Sequence, residues 1–187
     1  MALLDLKYSS PMKTVLVLRH GKSDWQAGYG SDHDRPLAER GIVAAELMGR
    51  FLTRNGQEPA RILSSTAVRA RSTAELAMMA GHWGCSVQYT EALYGASVPG
   101  VIDLLRMEDD ALASLLLVGH QPTWSELIQD LTGGASVRFP TAALARIDFE
   151  IDRWRDVGSG AGTLKWLVTP KILNRLGSED GEPRPAR

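Results

Sequence analysis

The chain has 187 residues, 44% of them hydrophobic and 23% charged, which suits one globular domain with a sizeable core. A formal net charge of −1 supplies no overall basic field for nucleic acid or an acidic membrane, so affinity for anions has to come from a local cluster. The one cysteine, Cys85, excludes an internal disulfide and speaks against a cysteine-based metal site.

Residues 1–12 read as an N-terminal extension, set off by Pro11 and without the basic and then apolar order of a signal peptide. No segment approaches the roughly 20 apolar residues of a membrane span. A cytoplasmic location with no membrane partner is therefore expected.

The domain proper is expected over 13–174. Thr14 to Leu18 is unbroken apolar, as in a strand buried on both faces, and ends abruptly at Arg19-His20-Gly21. Lys22 to Arg35 reads as loop. A helix is expected from Pro36, with Ile42, Ala45, Met48 and Leu52 inward, Asp34 as its cap and Asn55-Gly56 as its stop. Ile62-Leu63 is a short strand, and Ser64-Ser65 opens a helix over Thr66 to Ala80. Val87 to Tyr89 forms a third strand. Val98, Val101, Ile102 and Leu105 mark a further helix with Pro99 in its first turn.

Leu115 to Val118 is again continuous apolar and ends in Gly119-His120. Pro122 starts a helix with Trp124, Leu127, Ile128 and Leu131 on one face, ended by Gly133-Gly134. Ala143 to Val168 reads as two strands joined by a loop at Gly158 to Gly162. Residues 175–187 are polar and rich in Pro and Gly, which predicts a flexible tail. The alternation of strands and helices predicts an α/β three-layer sandwich, a mainly parallel central sheet with helices on both faces.

Ligands of such sheets bind beyond the carboxyl ends of the strands. Three polar clusters fall there: Arg19-His20-Gly21, Ser64-Ser65 running into Arg69, and Gly119-His120. If those strands are neighbours, two histidines and two arginines converge. Paired guanidinium groups suit a phosphate through bidentate bonds, and the helix start near Thr66 can add amides. A neutral histidine whose other ring nitrogen is held by a carbonyl is a competent nucleophile. Arg19 and Arg69 would neutralise the transferring phosphoryl oxygens, with His120 adding a hydrogen bond. No metal or other cofactor is needed for that chemistry. Taken alone, Arg19-His20-Gly21 is equally a structural turn; its repetition in the matching context of Gly119-His120 favours chemistry.

Leu18-Arg19-His20-Gly21-Lys22-Ser23 resembles the signature of the histidine phosphatase superfamily, with its phosphoglycerate-mutase-like fold. Asp34-Arg35-Pro36-Leu37-Ala38-Glu39-Arg40-Gly41 is similar to the D-x-P-L-T-x-x-G segment of that family. Ser64-Ser65 through Arg69-Ala70 to Thr73-Ala74-Glu75 is similar to its S-S-x-x-x-R-A-x-Q-T-A-E helix, and Val118-Gly119-His120 to its second histidine motif. The matches run from Leu16 to about Leu127 and extend weakly to Pro140–Ala145. Ser72 stands in place of the usual Gln and Thr66 where Pro is common. Lys22-Ser23, Leu93-Tyr94-Gly95 and Gly119-His120-Gln121-Pro122 resemble the branch of SixA-like phosphohistidine phosphatases.

The resemblance implies His20 as the phosphorylated nucleophile, with Arg19, Arg69 and His120 completing the catalytic phosphate pocket. Gly21 and Ser23 join the substrate-binding set, and Arg35 is a further candidate whose plainer reading is surface charge. Glu91, in a segment similar to the E-x-x-Y-G of mutases, is the candidate general acid. The interval before His120 is shorter than the cap-bearing insert of mutases. Asp32-His33-Asp34 is read as a hydrated loop and not as a metal site, Arg71 as a solvated helix residue and Trp124 as core. The expected substrate is a phosphohistidine-bearing protein, such as a phosphorelay domain. The alternatives are a small phosphate ester, hydrolysed by a phosphomonoesterase of the same fold, and a non-catalytic module that binds phospho-ligands. Nucleic acid is not expected as a partner.

Overall fold

Lys13-Thr14-Val15-Leu16-Val17-Leu18-Arg19 is apolar on both sides of its centre, so as a strand it must be covered on both faces. In the computed structural model, which describes residues 12–176, this segment is strand β1 (Lys13–Arg19), with Val15 to Leu18 buried. Five more strands follow: β2 (Arg61–Ser65), β3 (Ser86–Thr90), β4 (Ser114–Gly119), β5 (Leu144–Phe149) and β6 (Gly162–Val168). They form one sheet in the order β3-β2-β4-β1-β5-β6. Its first four members are parallel, while β5 runs antiparallel to β1 and β6 antiparallel to β5. The sheet is mainly parallel, as expected, with an antiparallel edge.

Side chains alternate across the sheet with a period of two. Val15, Val17, Leu115 and Leu117 share one core with helices α3 (Val98–Arg106) and α4 (Thr123–Leu131). Leu16, Leu18, Leu116 and Val118 share the opposite core with α1 (Glu39–Arg54) and α2 (Val68–Gly81). This gives the three-layer α/β arrangement. In α4 the predicted face of Trp124, Leu127, Ile128 and Leu131 is fully inward. In α3 Pro99 lies in the first turn, and Ser97 caps it by accepting from the Gly100 N–H at 3.3 Å.

Several expectations are corrected. Helix α1 begins at Glu39 and not at Pro36, because 36–38 are held extended by the Ser23–Leu37 bridge and the bond from the Ala38 N–H to the Lys22 carbonyl. Asp34 does not cap it: it belongs to a 3-10 turn (Asp32–Asp34), and its carboxylate accepts from the Ser31 hydroxyl. Ile42 is exposed, and the buried face of α1 is Gly41, Ala45, Met48, Gly49 and Leu52. Ser64 and Ser65 complete β2 and do not open α2. The connection from β5 to β6 starts just after Phe149 and includes a turn at Trp154–Asp156, so it is longer than the loop expected at Gly158 to Gly162.

Helix α5 (Pro170–Leu176) reaches two residues past the boundary expected at 174. Residues 1–11 of the expected extension and 177–187 of the expected tail lie outside the described residues. Among the described residues no helix is long and apolar enough to cross a membrane.

The register fixes the site. Arg19 of β1 lies opposite Gly119 of β4, so His20 and His120, the residues that follow, emerge side by side. Ser64 of β2 pairs with Val118 on the other side of β4, which brings Ser65 to the same edge. Gly119 is required by packing: a Cβ there would lie 2.6 Å from the Trp124 ring, whose Nε1–H donates to the Leu18 carbonyl at 2.9 Å.

Candidate active site

A cavity of about 270 Å³ opens at this carboxyl edge, and Arg19, His20, Ser23, Arg35, Arg69 and His120 all line it. His20 is buried. Its ring Nδ1 lies 2.7 Å from the Gly21 carbonyl oxygen, which can only accept, so Nδ1 carries the proton and Nε2 keeps its lone pair. Burial pushes the His20 pKa down to about 3; His120, Arg69 and Arg19 push the same way, against the Gly21 carbonyl. The ring is therefore neutral at physiological pH, as a nucleophile requires.

The turn that aims the ring is built by three contacts. The His20 N–H donates to the Gly119 carbonyl, the Gly21 N–H donates to the Thr73 hydroxyl at 2.9 Å, and the Ala142 N–H reaches the carbonyls of Arg19 and His20. Gly21 has no room for a side chain, because a Cβ would meet the Gly41 carbonyl oxygen at 2.6 Å. Thr73 lies one helical turn beyond Arg69, and its hydroxyl also donates to the Arg69 carbonyl. One face of α2 thus holds both the pocket's arginine and the His20 loop.

His120 sits with its ring centroid 5.1 Å from that of His20. Burial first, and then the charge of Arg69, lowers its pKa to about 4. Its Nε2 is 2.9 Å from the Ser65 hydroxyl, and Tyr94 meets its ring edge-on at 5.6 Å. Arg19 is anchored through Nη1 to the Phe139 carbonyl at 3.0 Å.

Among the described residues, six buried side-chain polar atoms lack a hydrogen-bond partner, and four of them belong to residues lining this cavity. They are Arg19 Nε, Ser23 Oγ, Arg69 Nε and His120 Nδ1. Orphaned buried polar groups are costly, and two of these four are arginine N–H donors, so their concentration around one histidine suits an acceptor-rich anion.

The candidates are not all brought together. Glu91, the expected acid, is exposed in a 3-10 turn (Glu91–Leu93) and is not among the residues lining the cavity. The helix start contributes Arg69 to the lining but none of Thr66, Ala67 or Val68. Arg35 is not surface charge: it is buried, stacks 3.6 Å from the centroid of the Trp25 ring and pairs with Asp32 at 2.7 Å. Arg71 is exposed, beside Glu75 and Tyr89, and Trp124 is core, both as read from the sequence.

Residues 15–99 match the model of the histidine phosphatase superfamily (branch 1). An uncharacterised protein of Mycobacterium tuberculosis is 36% identical over 166 residues, covering 82% of this chain and all of that one. The chain belongs to the histidine phosphatase superfamily. Within the family, the phosphohistidine phosphatase SixA of Escherichia coli is 28% identical over 159 residues, covering 83% of this chain and 93% of that one. A solved structure of the protein histidine phosphatase SixA complexed with tungstate superposes with a TM-score of 0.75 at 28% identity, covering 86% of this chain and 99% of that one.

Asp32 also reaches this site, unforeseen from the sequence. Its main-chain oxygen accepts from Arg69 Nη1 at 2.5 Å, and its carboxylate accepts from Arg69 Nη2 at 3.0 Å and from both Nε and Nη2 of Arg35. Partial burial opposes ionisation of Asp32, but the charge of Arg69 and the bonds from Arg35 outweigh it and hold the carboxyl below its usual range. The hydrated-loop reading of Asp32-His33-Asp34 is therefore incomplete: Asp32 and Asp34 are both exposed, but Asp32 ties the loop to the site and His33 Nε2 lies 3.0 Å from the Thr66 hydroxyl. Only the D-x-P-L motif two residues later hinted at this segment. Among the described residues no group of three or more His, Cys, Asp or Glu is placed to hold a metal ion.

Proposed function

We propose that the protein is a phosphohistidine phosphatase that works through a phosphorylated His20, with a phosphohistidine-bearing protein as substrate. The observation that carries this is the set of unpaired buried polar atoms, two of them arginine N–H donors, around a buried imidazole whose Nδ1 is tied to Gly21. A SixA structure bound to tungstate, a tetrahedral oxyanion, supports the same use of the pocket.

In the first step the Nε2 lone pair of His20 attacks phosphorus, and the P–N bond to the substrate imidazole breaks. The departing imidazole takes a proton from water. Arg19, Arg69 and His120 hold the equatorial oxygens, and the Ser23 hydroxyl is placed to do the same. In the second step water attacks the phosphorus, the P–N bond to His20 breaks and inorganic phosphate leaves. Tying Nδ1 to a carbonyl spares His20 the cost of orienting its ring at the moment of attack.

The test uses a phosphohistidine-bearing protein incubated with the enzyme in the presence of a chelator. Phosphate is expected to be lost, an acid-labile phosphoenzyme to form, and His20→Ala to abolish both. Turnover of small phosphate esters without turnover of phosphohistidine would overturn the substrate assignment. Binding of phosphate analogues with neither reaction would instead identify a binding module.

A further inference from the structure

A second, larger depression adjoins the catalytic cavity. It has a volume of about 1790 Å³ and shares a wall with the smaller one, since Arg19, Lys22, Gln121 and Thr141 line both. Small-molecule pockets hold roughly 300–1,000 Å³, so a groove of this size fits a segment of a macromolecule better than a metabolite. It runs between the outer face of α1, the 136–141 segment and α5.

Its charge is one-sided. Among the described residues, Arg19, Lys22, Arg40, Arg138, Lys171 and Arg175 line it against the single carboxylate of Glu39, in a chain whose formal net charge is −1. Among the described residues, Lys22, Arg40, Arg138, Lys171 and Arg175 form no ion pair, whereas most other arginines do. Apolar groups lie between these cations: Val43, more than half exposed in the second turn of α1, together with Val137 and Pro140. A cationic rim around small apolar groups complements a protein surface carrying carboxylates and aliphatic side chains. Nucleic acid fits less well, because the one aromatic ring in the wall among the described residues, Phe139, is buried and offers no base a stacking platform.

We propose that this groove is the docking surface for an acidic face of the phosphohistidine-bearing substrate protein, holding it while its phosphoryl group enters the cavity at His20. The location supports this: a docked partner reaches the nucleophile across the shared wall. The inference takes its partner from the phosphohistidine reading above, and the groove's charge and size are independent of that reading.

The experiment uses the full chain and an acidic four-helix histidine phosphotransfer domain as probe. Binding of the unphosphorylated domain is followed by fluorescence anisotropy, and turnover is measured on the phosphorylated domain and on free phosphohistidine. In Arg40→Glu/Arg138→Glu/Lys171→Glu, binding and the apparent KM for the phosphodomain are expected to weaken about 10- to 100-fold at low salt. Activity on free phosphohistidine should stay within about twofold, because none of the three residues touches the cavity. The conservative Arg40→Lys/Arg138→Lys should keep docking, and added salt should weaken binding to wild type far more than to the reversal variant.

Equal binding by wild type and the reversal variant, or none by wild type at low salt, overturns the proposal. So does a matching loss on free phosphohistidine, which would make these cations part of the chemistry. Capture of a DNA duplex by these residues in place of the domain would assign the groove to nucleic acid. If the domain docks and charge reversal releases it, yet no phosphohistidine is hydrolysed, the groove stands and the phosphohistidine reading falls.

Discussion

Asp32 holds both terminal nitrogens of Arg69, so an arriving phosphoryl group has to compete with an acceptor that the protein itself supplies. Removing that carboxylate in Asp32→Ala should tighten inorganic phosphate as a competitive inhibitor by about 3- to 10-fold, the worth of one charge-assisted contact. A weaker inhibition constant would instead make Asp32 the residue that aims Arg69. The two histidines carry a stability signature of their own. Both are neutral when folded, at pKa values of about 3 and about 4, and each returns toward its ordinary value of about 6.5 on unfolding. Their contribution is therefore fully present above about pH 6.5 and is lost as pH falls toward the folded values. Between pH 6 and 4 each should remove up to about 1.4 kcal/mol of stability per pH unit. Urea unfolding across that range should show the slope, and His20→Asn should flatten it by about half. Arg19, His20, Arg69 and His120 were legible as a cluster because each ends a strand, follows one or lies in the first turn of the next helix. Asp32 was not, since its place depends on a loop folding back over α2, and Arg35 looked like surface because nothing in the sequence announces its stacking on Trp25.

Helix α2 does two jobs from one face, with Arg69 in the cavity and Thr73 under the Gly21 amide one turn later. Thr73→Val keeps the shape and removes the acceptor. The orphaned Gly21 N–H should cost about 1–3 kcal/mol, read from urea unfolding. Catalysis should fall further than stability explains, because the loop that fixes the Gly21 carbonyl against His20 Nδ1 loses its tether. A variant that loses stability but keeps full kcat would show that the carbonyl is held by other contacts. The strands β1 and β4 were legible because a strand buried on both faces must be continuously apolar, and α4 because four large apolar residues recur at helical spacing. The start of α1 was misplaced because Pro36 imitates a first-turn proline, while the Ser23–Leu37 bridge keeps the chain extended for three more residues. Helix α5 is one of the short ones, and its sequence gives no periodic run long enough to read.

At the scale of the whole molecule, the decisive feature is how short the connection from β3 to α3 is beside the carboxyl edge of the sheet. Between β3 and α3 the chain makes only a 3-10 turn and a short loop, and Glu91 in that turn is exposed, away from the cavity lining. A leaving group bound at His20 therefore meets no carboxylic acid from that segment, and in the phosphohistidine reading its proton comes from solvent. This suits an imidazole, which departs readily, and penalises an alkoxide, which needs a proton in the transition state. Positioned general acids contribute about 10²- to 10⁴-fold, so kcat/KM for an alkyl phosphate should trail that for free phosphohistidine by at least about 100-fold. Aryl phosphates with good leaving groups should fall between the two. Glu91→Gln should change none of these rates by more than about twofold, as for other exposed substitutions far from chemistry. The opposite pattern, alkyl esters turned over as fast as phosphohistidine and selectively lost in Glu91→Gln, would require the 91–97 segment to close over the cavity with substrate bound. The protein would then be a phosphomonoesterase with a movable acid, and the open edge seen here would be its resting state.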